Sequence, residues 1–134
     1  MAPDARVLGR GSYGTVVRVE HRVTRRRFAA KLMRCPGEAM VEVGVYRHLA
    51  ASAHSAFQEL LAFSLHGTMS WIVTPWCEAG SLQGCLREFG RLEGVAHVLG
   101  FANQVRSGLD HLHRSVGFLH LDVKPGNILF CGIA

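Results

Sequence analysis

The chain has 134 residues, 49% of them hydrophobic and 19% charged. That length suits one average domain able to bury a core, and the composition excludes an intrinsically disordered chain. Lys and Arg outnumber Asp and Glu by 15 to 10, and the net charge of +5 favours acidic partners such as phosphates, nucleic acid or anionic surfaces.

In chain order, residues 6–10, 15–21 and 27–33 read as strands, with Val17 and Val19 alternating with polar neighbours. Pro36-Gly37 punctuates, and residues 38–51 read as a helix in which Val45 and Leu49 stand four apart. Two further strands are predicted near residues 59–65 and 71–74. Beyond Pro75 the pattern turns helical. Ser81 is the expected N-cap of a short helix that Gly90 ends, and Val95, Leu99, Ala102, Val105, Leu109 and Leu112 recur at steps of three or four up to about Ser115. Five strands with one inserted helix, followed by helices, make an α+β pattern with a β-rich first half.

Apolar runs are broken by charge or glycine well short of a membrane-spanning helix, and no secretory signal opens the chain. Cys35, Cys77, Cys85 and Cys131 form no C-x-x-C pair and show no disulfide-scaffold spacing. They read as free thiols of a soluble, intracellular protein without a membrane partner. Of the eight histidines, His111, His113 and His120 lie closest together, but His111 and His113 point to different helix faces, so no zinc site is expected. The cluster Arg22, Arg25, Arg26, Arg27 reads as a solvated hairpin face and not as a nucleic-acid patch, because strands flank it and no aromatic-rich platform accompanies it.

Three stretches carry chemistry. In "LGRGSYGTVVRV", Gly9, Gly11 and Gly14 form G-x-G-x-x-G, which lets backbone fold tightly and brings N–H groups near phosphate oxygens. Strand, not helix, follows these glycines, which favours a loop between antiparallel strands over a dinucleotide-binding turn. Lys31, in "RFAAKLM", needs a counter-charge on so apolar a strand; Glu42 is the best placed partner and Glu38 the next. In "HLDVKPGN", Asp122, Lys124 and Asn127 put a carboxylate, an ammonium and an amide into one loop, a set able to orient a hydroxyl, neutralise a phosphoryl group and hold Mg²⁺. Pro125 and Gly126 are expected to keep this segment out of helix.

Taken together, "GRGSYGTV", "FAAK", "EVGVYRHL", "IVTPWCEAGSL" and "HLDVKPGNILF" resemble, in order, the glycine-rich loop, strand lysine, helix glutamate, hinge and catalytic loop of eukaryotic-type protein kinases. The resemblance covers residues 7–130. It implies an N-lobe over about residues 6–76, with a five-stranded antiparallel sheet and one helix, and a hinge and truncated helical C-lobe over 77–134.

The resemblance also implies roles. The backbone around Gly9, Gly11 and Gly14 would cover the phosphates of ATP, and Lys31, oriented by Glu42, would hold them. Val16 and Ala29 would press on one face of the adenine and Leu129 on the other. Thr74 falls at the gatekeeper position, with the Pro75 carbonyl and the Cys77 amide bonding the adenine edge. Asp122 would be the catalytic base, Lys124 would stabilise the transferring phosphoryl group, and Asn127 would ligand Mg²⁺. A lysine at position 124 points to serine or threonine hydroxyls of a protein substrate.

Three departures qualify that expectation. Only eleven positions separate Lys31 from Glu42, fewer than the family usually has. Leu121 stands where the family has an arginine that pairs with a phosphorylated activation loop; "HLDVKP" is shared with Mos-type and Wee/Myt-type kinases. The sequence also ends before the metal-binding Asp-Phe-Gly, which leaves the stripe around Leu99 to Leu112 short of packing partners. A catalytically inactive nucleotide-binding or interaction module is therefore the alternative expectation.

Overall fold

The computed structural model describes residues 6–92 and 94–131, which divide into two compact units. One holds the described residues up to Ala51 together with Gln58–Trp76; the other holds Ser52–Phe57 and the described residues from Cys77 onward.

The first unit is a five-stranded antiparallel sheet of β1 (Val7–Gly11), β2 (Gly14–Glu20), β3 (Arg27–Met33), β4 (Ala62–Ser64) and β5 (Ser70–Pro75), in the spatial order β1-β2-β3-β5-β4. Along β5, Ser70, Ile72 and Thr74 are buried while Trp71, Val73 and Pro75 are half-buried, the two-residue period of a pleated strand. Cross-strand partners share a face, so the pairs Met33↔Ser70, Lys31↔Ile72 and Ala29↔Thr74 put all six residues on one side.

Helix α1 (Pro36–Ala51) packs against β3 and β5. Its start lies two residues before the expected one, because proline's fixed φ suits the first helical position, where its missing N–H costs nothing. The buried stripe is Ala39, Val43 and Leu49, with half-buried Tyr46 between them, at steps of four, three and three. Of the pair that marked the helical period, Leu49 is buried and Val45 half-buried. Met33, Ala39, Val43 and Ile72 form the core, with Tyr46, Leu60 and Leu65 against it. Burying Met33 or Ile72 contributes roughly 1.5–3 kcal/mol each. Strand β4 is shorter than the expected 59–65, since as an edge strand it pairs with β5 alone and over three residues.

In the second unit, Ser81 caps α2 (Leu82–Phe89) by accepting the Gly84 N–H at 3.1 Å, and Gly90 ends the helix in the left-handed region at φ 73°. Helix α3 (Val95–His111) runs into one wider π turn, Leu112–Val116. Leu112 is buried, whereas Leu99 is 58% exposed; Leu82, Phe101, Val105, Leu109 and Ile128 line a groove of about 550 Å³.

Segment Ser52–Phe57 is pinned to α3 by two histidines. The His54 Nδ1 accepts the Ala56 N–H, which leaves Nε2–H to donate to the Ser107 hydroxyl at 3.1 Å. His111 Nε2 bonds the Ser52 carbonyl, and the two imidazoles stack with centroids 4.9 Å apart.

This close approach gives two glycines of α3 opposite behaviour. A Cβ on Gly108 would lie 2.7 Å from the Ala56 Cβ, whereas one on Gly100 would meet nothing within 4 Å. Gly100→Ala is expected to stabilise the chain by up to about 1 kcal/mol through helix propensity. Gly108→Ala is expected to lower stability despite the same propensity gain. Urea midpoints of the two variants, read by circular dichroism, check both.

Candidate active site

The glycine-rich stretch closes the β1–β2 hairpin, with Gly11 paired to Gly14 across Ser12 and Tyr13. Gly14 sits at φ 128° with the Leu32 carbonyl directly beneath its missing Cβ, so any side chain there would strike β3. Gly9 and Gly11 have nothing within 4 Å of the corresponding point, which leaves room beside their backbone.

The pair Val16↔Lys31 adds Val16 to the sheet face that already carries Ala29, Lys31 and Thr74. Lys31 Nζ meets Glu42 Oε2 at 2.6 Å, with both side chains about a quarter to a third exposed. Glu42 is drawn there by the helix it rides on: it lies one turn from Ala39 and one from Tyr46, on the edge of the stripe that faces the sheet. Glu38 is exposed. Burial, and next the Glu42 carboxylate, push the Tyr46 phenol up to about 12.

Two first-unit residues near this group had no role in the sequence reading. The Tyr13 ring lies 5.9 Å from Lys31 Nζ, opposite in character to Glu42 yet also attractive to a cation. Gln58 Nε2 donates to the Pro75 carbonyl at 3.0 Å. A carbonyl has two lone pairs, so Pro75 keeps acceptor capacity. The aromatic between the second and third glycines was a signal for Tyr13; nothing local links Gln58 to a residue 17 positions away.

In the second unit, Asp122, Lys124 and Asn127 converge. Lys124 Nζ lies 2.9 Å from Asp122 Oδ2, and Asn127 Nδ2 donates to both the Oδ2 and the backbone carbonyl of Asp122 at 2.8 Å. The Lys124 hydrogen bond, then that of Asn127, hold the Asp122 carboxyl below the usual carboxylate range. Residues Pro125–Asn127 form one 3-10 turn, a correction to the expectation of no helix: proline is tolerated in a first turn, and the Asn127 N–H closes it on the Lys124 carbonyl. Leu121, at φ 61° and 89% exposed, holds a left-handed conformation that costs a bulky residue roughly 1–2 kcal/mol. Such strain concentrates at functional loops.

The loop's exit runs antiparallel to the start of α2. Leu82 N–H donates to the Ile128 carbonyl, Phe130 N–H to the Gly80 carbonyl, and Ser81 bridges Leu129. This alignment overturns part of the cysteine reading. Cys77 and Cys131 are joined by a disulfide, while Cys35 and Cys85 are free. Local spacing carries no trace of a partner 54 residues away; the paired segments bring the two Cα atoms within 4.3 Å. Of the described residues, no helix is long and apolar enough to cross a membrane.

Residues 3–132 match the family model for the protein kinase domain. The chain belongs to the protein kinase family. Among its relatives, Wee1-like protein kinase 2 of Danio rerio is 30% identical over 132 residues, covering 92% of this chain and 25% of that protein. The mitogen-activated protein kinase kinase mkk2 of Aspergillus fumigatus is 32% identical over 133 residues, covering 92% and 26%. The titin homolog of Caenorhabditis elegans is 30% identical over 127 residues, covering 91% and 1%. The chain thus spans about a quarter of the two smaller kinase relatives and a hundredth of the third. The five-stranded antiparallel sheet with its inserted helix is the N-lobe fold of the family.

Two titrations test the site's electrostatics. Asp122 stabilises the fold above the ordinary carboxylate range, and this contribution is lost as pH falls through its lowered pKa. Carboxyl NMR should show the Asp122 titration moving upward in Lys124→Met, and by less in Asn127→Ser. Tyr46, raised from 10.0 to about 12, contributes stability that is present below pH 10 and is lost as pH rises towards 12. Ultraviolet difference absorbance should show a phenol ionising near 12 that disappears in Tyr46→Phe.

Proposed function

We propose that this chain carries the ATP-binding and phosphotransfer residues of a protein kinase acting on serine or threonine hydroxyls of proteins. The observation that carries the proposal is the Asp122 carboxylate gripped by Lys124 and Asn127 in one loop of a kinase-family chain. The relatives named as kinases add weight to the family's general activity.

The residues fit the groups the reaction needs. Room beside Gly9 and Gly11, the fixed turn at Gly14, and the Lys31 ammonium held by Glu42 suit a polyanion such as the ATP phosphates. Asn127 spends its amide hydrogens on Asp122, so its Oδ1 is the atom left for a hard cation, and Mg²⁺ takes oxygen ligands. Val16, Ala29 and Thr74, on one sheet face, are assigned to the adenine with the Pro75 carbonyl, the Cys77 amide and Leu129.

With ATP and Mg²⁺ bound, the nucleotide supplies the phosphoryl group and the cation screens its charge. Asp122, with its carboxyl held below the usual range, is anionic at neutral pH and accepts the hydrogen bond of the incoming hydroxyl. A carboxylate held by Lys124 and Asn127 is a weaker base than a free one, which suits a loose transition state in which the proton leaves late. Lys124 sits on the same carboxylate oxygen and brings positive charge to the oxygens that transfer.

Transfer of radiolabel from ATP to a mixed protein substrate, followed by phosphoamino-acid analysis, tests this reading. Asp122→Asn is expected to lower transfer by about 10²–10⁴-fold while leaving the ATP-induced rise in melting temperature intact. Lys31→Met is expected to abolish that rise. Label transfer equal in wild type and Asp122→Asn would defeat the kinase reading. An ATP-induced, Lys31-dependent shift without any transfer would establish the alternative, a nucleotide-binding module.

A further inference from the structure

The arginine cluster of the β2–β3 hairpin has no part in the site above. Its sequence offers no aromatic platform, but the fold supplies one from a distance. The register Phe28↔Pro75, continued by one residue, brings Trp76 beside Arg27. The guanidinium carbons of Arg18 and Arg27 lie 5.5 and 5.8 Å from the Trp76 ring centroid, and that of Arg26 lies 5.8 Å from the Phe28 ring. Arg25 is spent on Glu20 at 2.9 Å. Among the described residues, Arg18, Arg22, Arg26 and Arg27 form no ion pair.

A cleft of about 520 Å³ opens at this place, lined by Arg26, Arg27, Phe28, Glu59, Leu61, Pro75 and Trp76. Leu61 is 42% exposed. The surface therefore combines planar cations with an apolar recess, all within the first unit.

We propose that this cleft docks an acidic peptide segment of a partner protein, one in which an aliphatic residue is flanked by Asp or Glu. A guanidinium laid against a ring spends its flat face on the ring and keeps its N–H edge for another group. That edge is a planar fork matched to a carboxylate, and the ring reduces the freedom lost when it pairs. Phe28, Leu61 and Pro75 offer the aliphatic residue a place to bury. Nucleic acid fits less well, because guanidiniums already lie over Trp76, the ring on which a base would stack.

Fluorescence anisotropy with the full chain tests the proposal, using a labelled peptide of alternating Glu and Leu, its Lys and Leu counterpart, and an oligodeoxythymidine. The Glu/Leu peptide is expected to bind most tightly, and Arg18→Gln/Arg27→Gln to weaken it at least tenfold. Arg106→Gln/Arg114→Gln removes equal charge from α3 and the π turn that follows it, and is expected to change binding less than twofold. Arg18→Lys/Arg27→Lys keeps the charge but not the fork, and is expected to lose several-fold affinity; it also serves as the reading if the glutamine pair fails to fold. The proposal is overturned by no binding of the Glu/Leu peptide, by equal losses from the two glutamine pairs, by full affinity in the lysine pair, or by tighter binding of the oligonucleotide.

Discussion

Lys31 leaves β3 on the same sheet face as Met33, Ile72 and Ser70, which are among the most buried side chains of the first unit. An ammonium beside such a core must be met by a carboxylate, and the helix that closes the core brings one. Ala39 and Val43 anchor α1 on the sheet, and Glu42, between them and Tyr46 on the helical turn, reaches Lys31 at 2.6 Å. Core packing and the charged pair are thus one constraint. A rotation of α1 that exposed Val43 would also withdraw Glu42. The pairing of β2 with β3 then places Val16 on the same face as Lys31, and the backbone of Gly14 against Leu32, so the glycine loop is keyed to the same strand.

The second unit meets a different constraint with polar contacts. Its loop has little apolar side chain to bury: Leu121 and Val123 are exposed. What orders it is Asp122, which receives Lys124 and both bonds of Asn127, and the short antiparallel contact between residues 80–82 and 128–130. Gly126 approaches Gln83 of α2 so closely that a Cβ would lie 3.0 Å from its side-chain oxygen. The same groups that hold the loop set the electrostatics of the carboxylate, so structure and chemistry there share their hydrogen bonds.

The elements legible in the sequence were those whose signals are local. Alternation marked β2, and Ser81 and Gly90 marked both ends of α2, because caps and pleats depend on residues a few positions apart. For α1, the four-residue step from Val45 to Leu49 marked a helix, but period alone does not say which stripe meets a sheet, and the side chains buried are Ala39, Val43 and Leu49. The wider π turn at Leu112–Val116 and the shortened β4 also lay outside any local signal.

By itself, the sequence determined the chemical inventory and its order: a glycine loop, a strand lysine, a helix glutamate, and an Asp-Val-Lys-Pro-Gly-Asn loop, which suffice to assign the chain to the protein kinase family. Only tertiary structure decided which groups touch across long separations. It chose Glu42 over Glu38, set Gln58 on the Pro75 carbonyl, paired Cys77 with Cys131, and laid Arg18 and Arg27 against Trp76. The reason is physical: motifs arise from what neighbouring residues do to one backbone, whereas these contacts follow from strand register and helix rotation, which the whole core selects together.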